Sequence, residues 1–297
     1  MMSKRNFILA LAILTVIIAF GYKGNKAIMA YEADTIRTER VHQTTSDSVC
    51  MGDVEIDYPV AGPQCLMDSL RANINRALYD SFYYTEDSTH IVCFKGSLTD
   101  ANKLAKFYSE AYYDNLKSLC DYNDSRTLQL EHNVGILKKY ENKQVITYLV
   151  DSYGFFGGAH GAASSHAFML DKATGKQLGY IIDTTQVEGM QELLKQGLTR
   201  YLTQEGDTLE SDVVEILSLE DNNIIPLPDA SPYFTAKGVT FVYGLYEIGP
   251  YVIGMPEFTI SYKDIYCYLT DEAKKLVDMK NLDGRYEEFR RIAHFAG

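Results

Sequence analysis

The stretch Gly157-Gly158-Ala159-His160-Gly161 combines one histidine with three glycines in five residues. Histidine can act as a general acid or base near neutral pH, and either ring nitrogen can bind a ligand. The glycines permit positive φ angles and a close approach of the backbone to a bound group. The same residues also suit a structural role, in which the glycines allow a turn and a hydrogen bond holds the histidine.

Two aspartates are candidate partners of His160 in an acid–base set. Asp151 precedes the loop and Asp183 follows it, so short strands could bring the three side chains together. The spacing between His160 and His166 does not mark a metal site without further ligands. The sequence also lacks the motifs of serine hydrolases, zinc proteases, phosphate loops and dinucleotide folds. We therefore expect no metal and no cofactor, and no catalytic residue is assigned.

A strand is predicted on either side of this loop. Residues 145–150 (VITYLV) are rich in β-branched and aromatic residues, and residues 166–170 (HAFML) form a second apolar run. Residues 171–176 (DKATGK) follow as a turn, because aspartate and glycine favour turn conformations. The sequence therefore places His160 on a loop between two strands and predicts positive φ at one of the two adjacent glycines.

Helices are predicted where apolar residues recur at helical spacing. Residues 63–80 and 100–120 each carry one apolar stripe. A third stripe runs to Tyr201 after Thr185-x-x-Glu188, which has the pattern of a capping box.

Three more strands are predicted, at residues 90–94, 238–246 and 251–268, with Gly-Pro and Gly-Met-Pro interruptions around the last. The order of elements predicts an α+β fold with mainly antiparallel sheets, helices packed on one face and two subdomains.

The first thirty residues predict export. Lys4 and Arg5 precede an almost wholly apolar run from Phe7 to Tyr22, which is the pattern of a secretory signal. This run is close to the shortest length that spans a bilayer, so residues 1–30 are a cleaved signal peptide or an uncleaved signal anchor. We expect a periplasmic or cell-envelope protein that contacts the membrane only through this segment, if the segment is retained.

The chain is strongly acidic. Its net charge is −12, and residues 1–30 carry four basic and no acidic residues, so the remainder has a net charge of −16. Such a surface repels nucleic acid and attracts cationic partners, although solubility alone also explains a negative charge. We therefore expect no nucleic-acid partner.

Cysteine and tyrosine leave alternatives open. An exported protein could form up to two disulfides and keep one thiol, or bury free thiols, at Cys50, Cys65, Cys93, Cys120 and Cys267. The 23 tyrosines, many of them in predicted strands, either pack in the core or line a recognition surface.

Three motifs in this order resemble the extracellular domain of RsiV-like proteins. They are residues 153–161 (YGFFGGAHG), the 171–176 turn and residues 246–254 (YEIGPYVIG), in which Val252 replaces the family's usual alanine. The resemblance divides the chain into an N-terminal α+β subdomain, residues 31–120, and a C-terminal RsiV-like α+β domain, residues 121–297. A polar linker at 121–126 would separate them.

The resemblance implies binding, since no catalytic residues are assigned within that family's domain. Its best-known members are membrane-bound anti-sigma factors whose outer domain binds lysozyme, a cationic protein. We therefore predict an exported binding module that recognises lysozyme or another cationic or cell-wall-related partner. The alternative is a hydrolase of cell-wall or glycan substrates centred on the glycine–histidine loop. The predicted binding residues are Tyr153, Phe156, Gly157, Gly158, His160, Gly161, Tyr246, Pro250 and Tyr251.

Overall fold

A computed structural model describes residues 35–82, 93–122, 129–203, 212–219 and 224–277. The predicted signal segment, most of the predicted linker and residues 90–92 of one predicted strand lie outside these residues. Residues 93 and 94 are described and form no strand. Within the described ranges, no helix is both long and apolar enough to cross a membrane.

A five-stranded sheet forms the centre of the fold. Its strands, in spatial as well as sequence order, are β1 (Arg37–Ser46), β2 (Cys50–Ala61), β3 (Leu130–Glu141), β4 (Val145–Phe155) and β5 (Ala162–Asp171). Neighbouring strands are antiparallel except β2 and β3, which are parallel. The prediction of an α+β fold with mainly antiparallel sheets is confirmed. This sheet draws strands from both sides of the predicted domain boundary, and the division into domains stays a prediction.

Two long helices, α1 (Gln64–Asp80) and α2 (Ala101–Tyr122), form the crossover that the parallel β2–β3 pair requires. They cover one face of the sheet, here called the helix face. Strand residues alternate between the two faces, and the inward set packs against the helices. The buried helix residues in this core include Leu70, Ile74, Leu104 and Tyr108. The predicted helices at 63–80 and 100–120 are confirmed.

A second layer packs on part of the opposite face. It contains a three-stranded antiparallel sheet and helix α3 (Gln191–Leu202), and the strands are β6 (Tyr233–Phe234), β7 (Gly238–Val242) and β8 (Glu257–Ser261). Short helices α4 (Val213–Ile216), α5 (Tyr262–Ile265) and α6 (Asp271–Lys275) complete the layer. Its core includes Val145, Leu149 and Met169 of the large sheet. Beyond these residues the strand side chains on the opposite face, here called the open face, are half-buried or exposed among the described residues, as at Asp53, Glu55 and Asp151.

The predicted capping box at Thr185 is wrong. The carboxylate of Asp183 accepts a hydrogen bond from the Thr185 amide and caps a 3-10 helix at Thr184–Met190. The α-helix begins only at Gln191. Aspartate is a strong N-cap residue, and placing the cap two residues earlier leaves Thr185 inside the first turn.

The predicted strand 251–268 is wrong over most of its length. Only β8 is extended, between 3-10 helices at Tyr251–Ile253 and Tyr266–Tyr268. Gly254, with φ of 75°, ends the first of these. After β8 the Ser261 hydroxyl accepts from the Asp264 amide and starts α5. These local hydrogen bonds override the strand propensity of the tyrosines. The predicted strand at 238–246 likewise ends early, at Val242.

The structure answers in part how the cysteines and the tyrosines are used. Cys65, Cys93 and Cys267 are free thiols, and the side chain of Cys120 lies outside the described residues. Most of the large, fully buried aromatic side chains are tyrosines, among them Tyr58, Tyr108, Tyr112, Tyr148, Tyr233 and Tyr243. Tyrosine therefore serves mainly the core, with the exceptions described next.

Candidate functional site

The glycine–histidine loop joins β4 to β5, as predicted. Strand β4 ends at Phe155 and β5 begins at Ala162, so residues 156–161 form the connection. Gly157 has a φ of 90°, whereas the φ of Gly158 is not positive. The predicted positive-φ glycine is therefore Gly157.

We expect Gly157→Val to lower the free energy of unfolding by more than ~1 kcal/mol, because a β-branched residue is strained at positive φ. The matched control is Gly158→Val. A Cβ atom at either position has room, its nearest neighbour being 3.6 Å away at Gly157 and 3.8 Å away at Gly158. The two variants therefore differ in backbone conformation alone. Urea unfolding should show a loss for the first only, and equal midpoints would contradict the assigned geometry.

His160 connects this loop to the segment 246–251. Its Nε2 lies 3.1 Å from the Tyr246 hydroxyl oxygen, and its Nδ1 lies 2.9 Å from the Gly161 carbonyl oxygen. Because a carbonyl oxygen only accepts, Nδ1 carries the donated proton, and Nε2 of the neutral ring accepts from Tyr246. The Tyr251 ring stacks on the imidazole with 4.0 Å between ring centroids. Its hydroxyl donates to the same Gly161 carbonyl, at 3.2 Å.

Four side chains form what we call the aromatic cluster: Tyr153, His160, Tyr246 and Tyr251. The Tyr153 ring covers Gly161 so closely that a Cβ atom there would lie 2.5 Å from the tyrosine hydroxyl. Tyr246 is 60% exposed and Tyr153 is 39% exposed. His160 is exposed as well, and the carbonyl of buried Gly161 would keep the Tyr251 hydroxyl as a partner if the imidazole were removed. The cluster therefore presents aromatic surface to solvent while its own hydrogen bonds fix its shape.

The conformation of Tyr246 is unusual. Its φ is 65°, and it is the one residue other than glycine with positive φ among those the structure describes. The neighbouring Glu247 carboxylate accepts hydrogen bonds from the Gly244 amide at 2.5 Å and the Asp229 amide at 2.7 Å. Burial raises the pKa of this carboxyl above its usual value. Strained backbone of this kind clusters at functional sites, where the surrounding structure holds it in place.

Not every predicted binding residue faces solvent. Phe156 is half-buried and packs edge-on against the ring of His132, with 5.6 Å between ring centroids. Gly157 and Gly158 are exposed in the loop, and Pro250 is exposed at the start of the 3-10 helix that carries Tyr251. The structure thus brings the two motif segments together and turns Phe156 inward as their support.

His132 lies next to the loop but is not among the binding residues predicted from the sequence. It is 1% exposed in β3, and its ring packs at a tilt against Tyr112 of α2, with 4.3 Å between centroids. Burial lowers its pKa to about 4, an effect that the Ser81 backbone offsets only in part. The signal in the sequence is its place two residues before Val134 and four before Ile136 in an alternating strand, where alternate side chains face the core.

An acidic groove lies beside the aromatic cluster on the open face. It has a volume of about 370 Å³, and its lining includes Asp53, Glu55, Asp151, Tyr153 and Met255. The strand register places Glu55 opposite Gly135, and Gly135 opposite Asp151. The carboxylates of Glu55 and Asp151 therefore lie on either side of Gly135, which has no side chain and forms the floor of the groove.

Basic side chains neutralise this groove only in part. Arg40 pairs with Glu55 at 2.6 Å and with Asp57 at 2.7 Å, and His42 lies 2.8 Å from Asp53. Asp151 accepts from the Ser165 hydroxyl at 2.6 Å. The groove thus has three lining carboxylates, Asp53, Glu55 and Asp151, beside one guanidinium and one imidazole, and it favours a cation.

The candidate acid–base set does not form a hydrogen-bonded unit. The hydrogen bonds of His160 go to Gly161 and Tyr246. The Asp151 carboxylate bonds Ser165, and Asp183 caps the 3-10 helix before α3. Within the residues that the structure describes, no group of three or more His, Cys, Asp or Glu side chains could hold a metal ion.

The fold and this site define a class: a two-sheet α+β protein with an exposed aromatic cluster at the junction of its layers. Residues 183–263 match the family model described as a protein of unknown function, DUF3298. This region contains Tyr246 and Tyr251 but not the glycine–histidine loop.

Two solved structures have the same fold. A DUF3298 family member from Bacteroides fragilis has a TM-score of 0.60 at 18% identity, covering 80% of this chain and 95% of its own. A DUF3298 family protein from Pseudomonas aeruginosa has a TM-score of 0.52 at 17% identity, covering 81% and 97%. At these identities the likeness concerns the fold alone. No curated protein matches the chain.

Proposed function

We propose that this protein is an exported, envelope-facing binding module of RsiV-like type that recognises lysozyme or another cationic or cell-wall-related partner. The observation that carries the proposal is the aromatic cluster. Two segments 86 residues apart in the chain meet there through the Tyr246–His160 hydrogen bond. They are the same segments whose motifs resemble the RsiV-like domain.

The chemistry of the surface supports a cationic partner. Tyrosine rings bury large area at low entropic cost, and their faces attract lysine and arginine. The acidic groove lies against Tyr153 and adds carboxylates to the same surface. Negative charge over the whole chain would accelerate the approach of a basic protein by electrostatic steering. Export, predicted from residues 1–30, places this surface where an extracellular partner can reach it.

The test is binding of immobilised residues 31–297 to hen egg-white lysozyme by biolayer interferometry. Tyr246→Ala should weaken affinity at least about tenfold, because exposed aromatic anchors dominate interface energies. The melting temperature should hardly change, since the side chain is exposed. Raising the salt concentration should also weaken the binding of lysozyme to the unmodified protein, because salt screens the attraction between opposite charges.

The matched control is Tyr79→Ala, which removes a half-buried tyrosine from α1 on the helix face of the sheet. Its affinity should equal that of the unmodified protein. The proposal fails if neither lysozyme nor any basic protein of an envelope extract binds, or if Tyr79→Ala and Tyr246→Ala weaken binding equally. Turnover of a glycan substrate that is lost in His160→Ala would instead indicate the hydrolase.

A further inference from the structure

We propose that the free edge of β5 is a second binding site, which takes an extended, basic peptide segment as a sixth strand of the large sheet. Strand addition to an exposed sheet edge is an established mode of peptide recognition. The inference depends on the backbone of β5 and the groove beside it. It does not require the function proposed above.

The hydrogen bonding of β5 shows which of its backbone groups point outward. On the side of β5 that faces away from β4, the Met169 carbonyl accepts from the Leu178 amide, and the Asp171 amide donates to the Lys176 carbonyl. The pairing of β4 with β5 runs without a register shift from Asp171 to Ala162. In an antiparallel pair the outward groups belong to every second residue. The odd-numbered residues of β5 therefore present their N–H and C=O groups to the free edge.

This free edge is closed at both ends and open in the middle. The turn at residues 172–178 occupies it beside Met169 and Asp171. At the other end the Gly161 carbonyl accepts from Tyr251 and His160. Between them, the outward N–H and C=O groups of Ala163, Ser165 and Ala167 make no hydrogen bond within the described part of the chain. Unpaired edge groups of this kind are a template for another strand.

A groove runs along Ser165 and Ala167, and its lining on β5 also includes Ser164 and His166. Its volume is about 610 Å³, and its far wall consists of residues 229–231 and 244–247. The wall carries the carboxylates of Asp229 and Glu247 and the exposed ring of Tyr246. The Asp229 carboxylate makes no ion pair with any described residue, so its charge is available to a ligand. Lysine or arginine side chains on the added strand complement this wall.

The first experiment uses a labelled peptide of about seven residues that alternates lysine and valine, with both ends blocked, in a fluorescence anisotropy titration. A second peptide has the same side chains but N-methyl groups on alternate residues, which block pairing along one edge. Strand addition predicts that the N-methylated peptide binds at least about tenfold more weakly. A third peptide, with glutamate in place of lysine, should also bind weakly.

The matched protein variants are Ser165→Pro and Ser165→Ala. Both remove the hydroxyl that bonds Asp151, but only proline removes the outward amide, and the ladder to β4 does not use that amide. Ser165→Pro should weaken the lysine–valine peptide about tenfold, and Ser165→Ala less than about twofold. Asp229→Asn should weaken binding and reduce its dependence on salt.

Amide hydrogen exchange followed by NMR gives a direct readout in the unmodified protein. The amides of Ala163, Ser165 and Ala167 should exchange fast in the free protein and slowly with the lysine–valine peptide. The amides of Ser164 and His166 should be protected in both states, because they bond β4.

Several results would overturn the inference. They are equal affinities of the plain and N-methylated peptides, no anisotropy change of the labelled peptide up to millimolar protein, and unchanged exchange at Ser165. Concentration-dependent dimerisation that Ser165→Pro abolishes would assign the edge to a second copy of this chain and reject the peptide. Ser165→Pro and Asp229→Asn change none of the four side chains of the aromatic cluster, so loss of peptide binding and loss of lysozyme binding are separate outcomes.

Discussion

Gly52→Ala should lower the free energy of unfolding by about 3 kcal/mol, the largest effect that we expect from adding one methyl group. Gly52 lies in β2 on the helix face, where α2 crosses the strand. A Cβ atom there would overlap the Ser109 carbonyl oxygen and lie 2.7 Å from the Tyr113 amide nitrogen. Both atoms belong to the helix backbone, so relief requires that α2 move away from the sheet.

Gly135→Ala is the control for this substitution. Gly135 lies in the adjacent strand β3 on the open face, where a Cβ atom would meet no atom within 4 Å. Alanine in a strand loses less conformational entropy on folding than glycine does, so this variant should be neutral or slightly more stable. Denaturant unfolding of the two variants measures the difference. Equal stabilities would contradict the close approach of α2 to β2.

The stability of the protein should fall by about 3 kcal/mol between pH 7 and pH 4 through His132 alone. The pKa of this buried histidine is about 4 in the folded state, against a usual value of 6.5. Below pH 6.5 the unfolded chain takes up a proton that the folded protein does not bind until about pH 4. Protonation therefore favours unfolding across this window, and above it His132 has no effect on the pH dependence.

His132→Phe isolates this contribution, because phenylalanine keeps a ring between Tyr112 and Phe156 but cannot be protonated. Free energies of unfolding at pH 7, 5.5 and 4 should fall less steeply in this variant than in the unmodified protein. His42→Asn, which removes an exposed histidine, should keep the original slope. Parallel slopes for His132→Phe and the unmodified protein would show that His132 does not resist protonation. Only the slopes of unfolding free energy against pH are compared, so a change in the overall stability of His132→Phe does not affect the result.

The pH effect also concerns the site, since Phe156 packs on His132 at the base of the glycine–histidine loop. The Phe156 side chain thus connects the ring of His132 to the backbone of the loop. Protonation of His132 in acid therefore adds a positive charge at the base of the loop that carries His160.

The sequence by itself determined the local structure around the loop. Strand-forming residues before and after it, two helices with one apolar stripe each, and a glycine with positive φ were all predictable. These properties depend on backbone preferences and side-chain periodicity within a few neighbouring residues. The same reasoning failed at Thr185 and after Pro250, because the caps at Asp183 and Ser261 depend on single hydrogen bonds that propensity does not rank.

Only the tertiary structure decided which distant residues meet. Sequence motifs named the 246–251 segment and the loop, but the register of the sheet and the packing of the second layer join Tyr246 to His160. The inward turn of Phe156 and the free edge of β5 have the same origin. A side chain's partners across a fold are set by long-range packing, which no local pattern encodes.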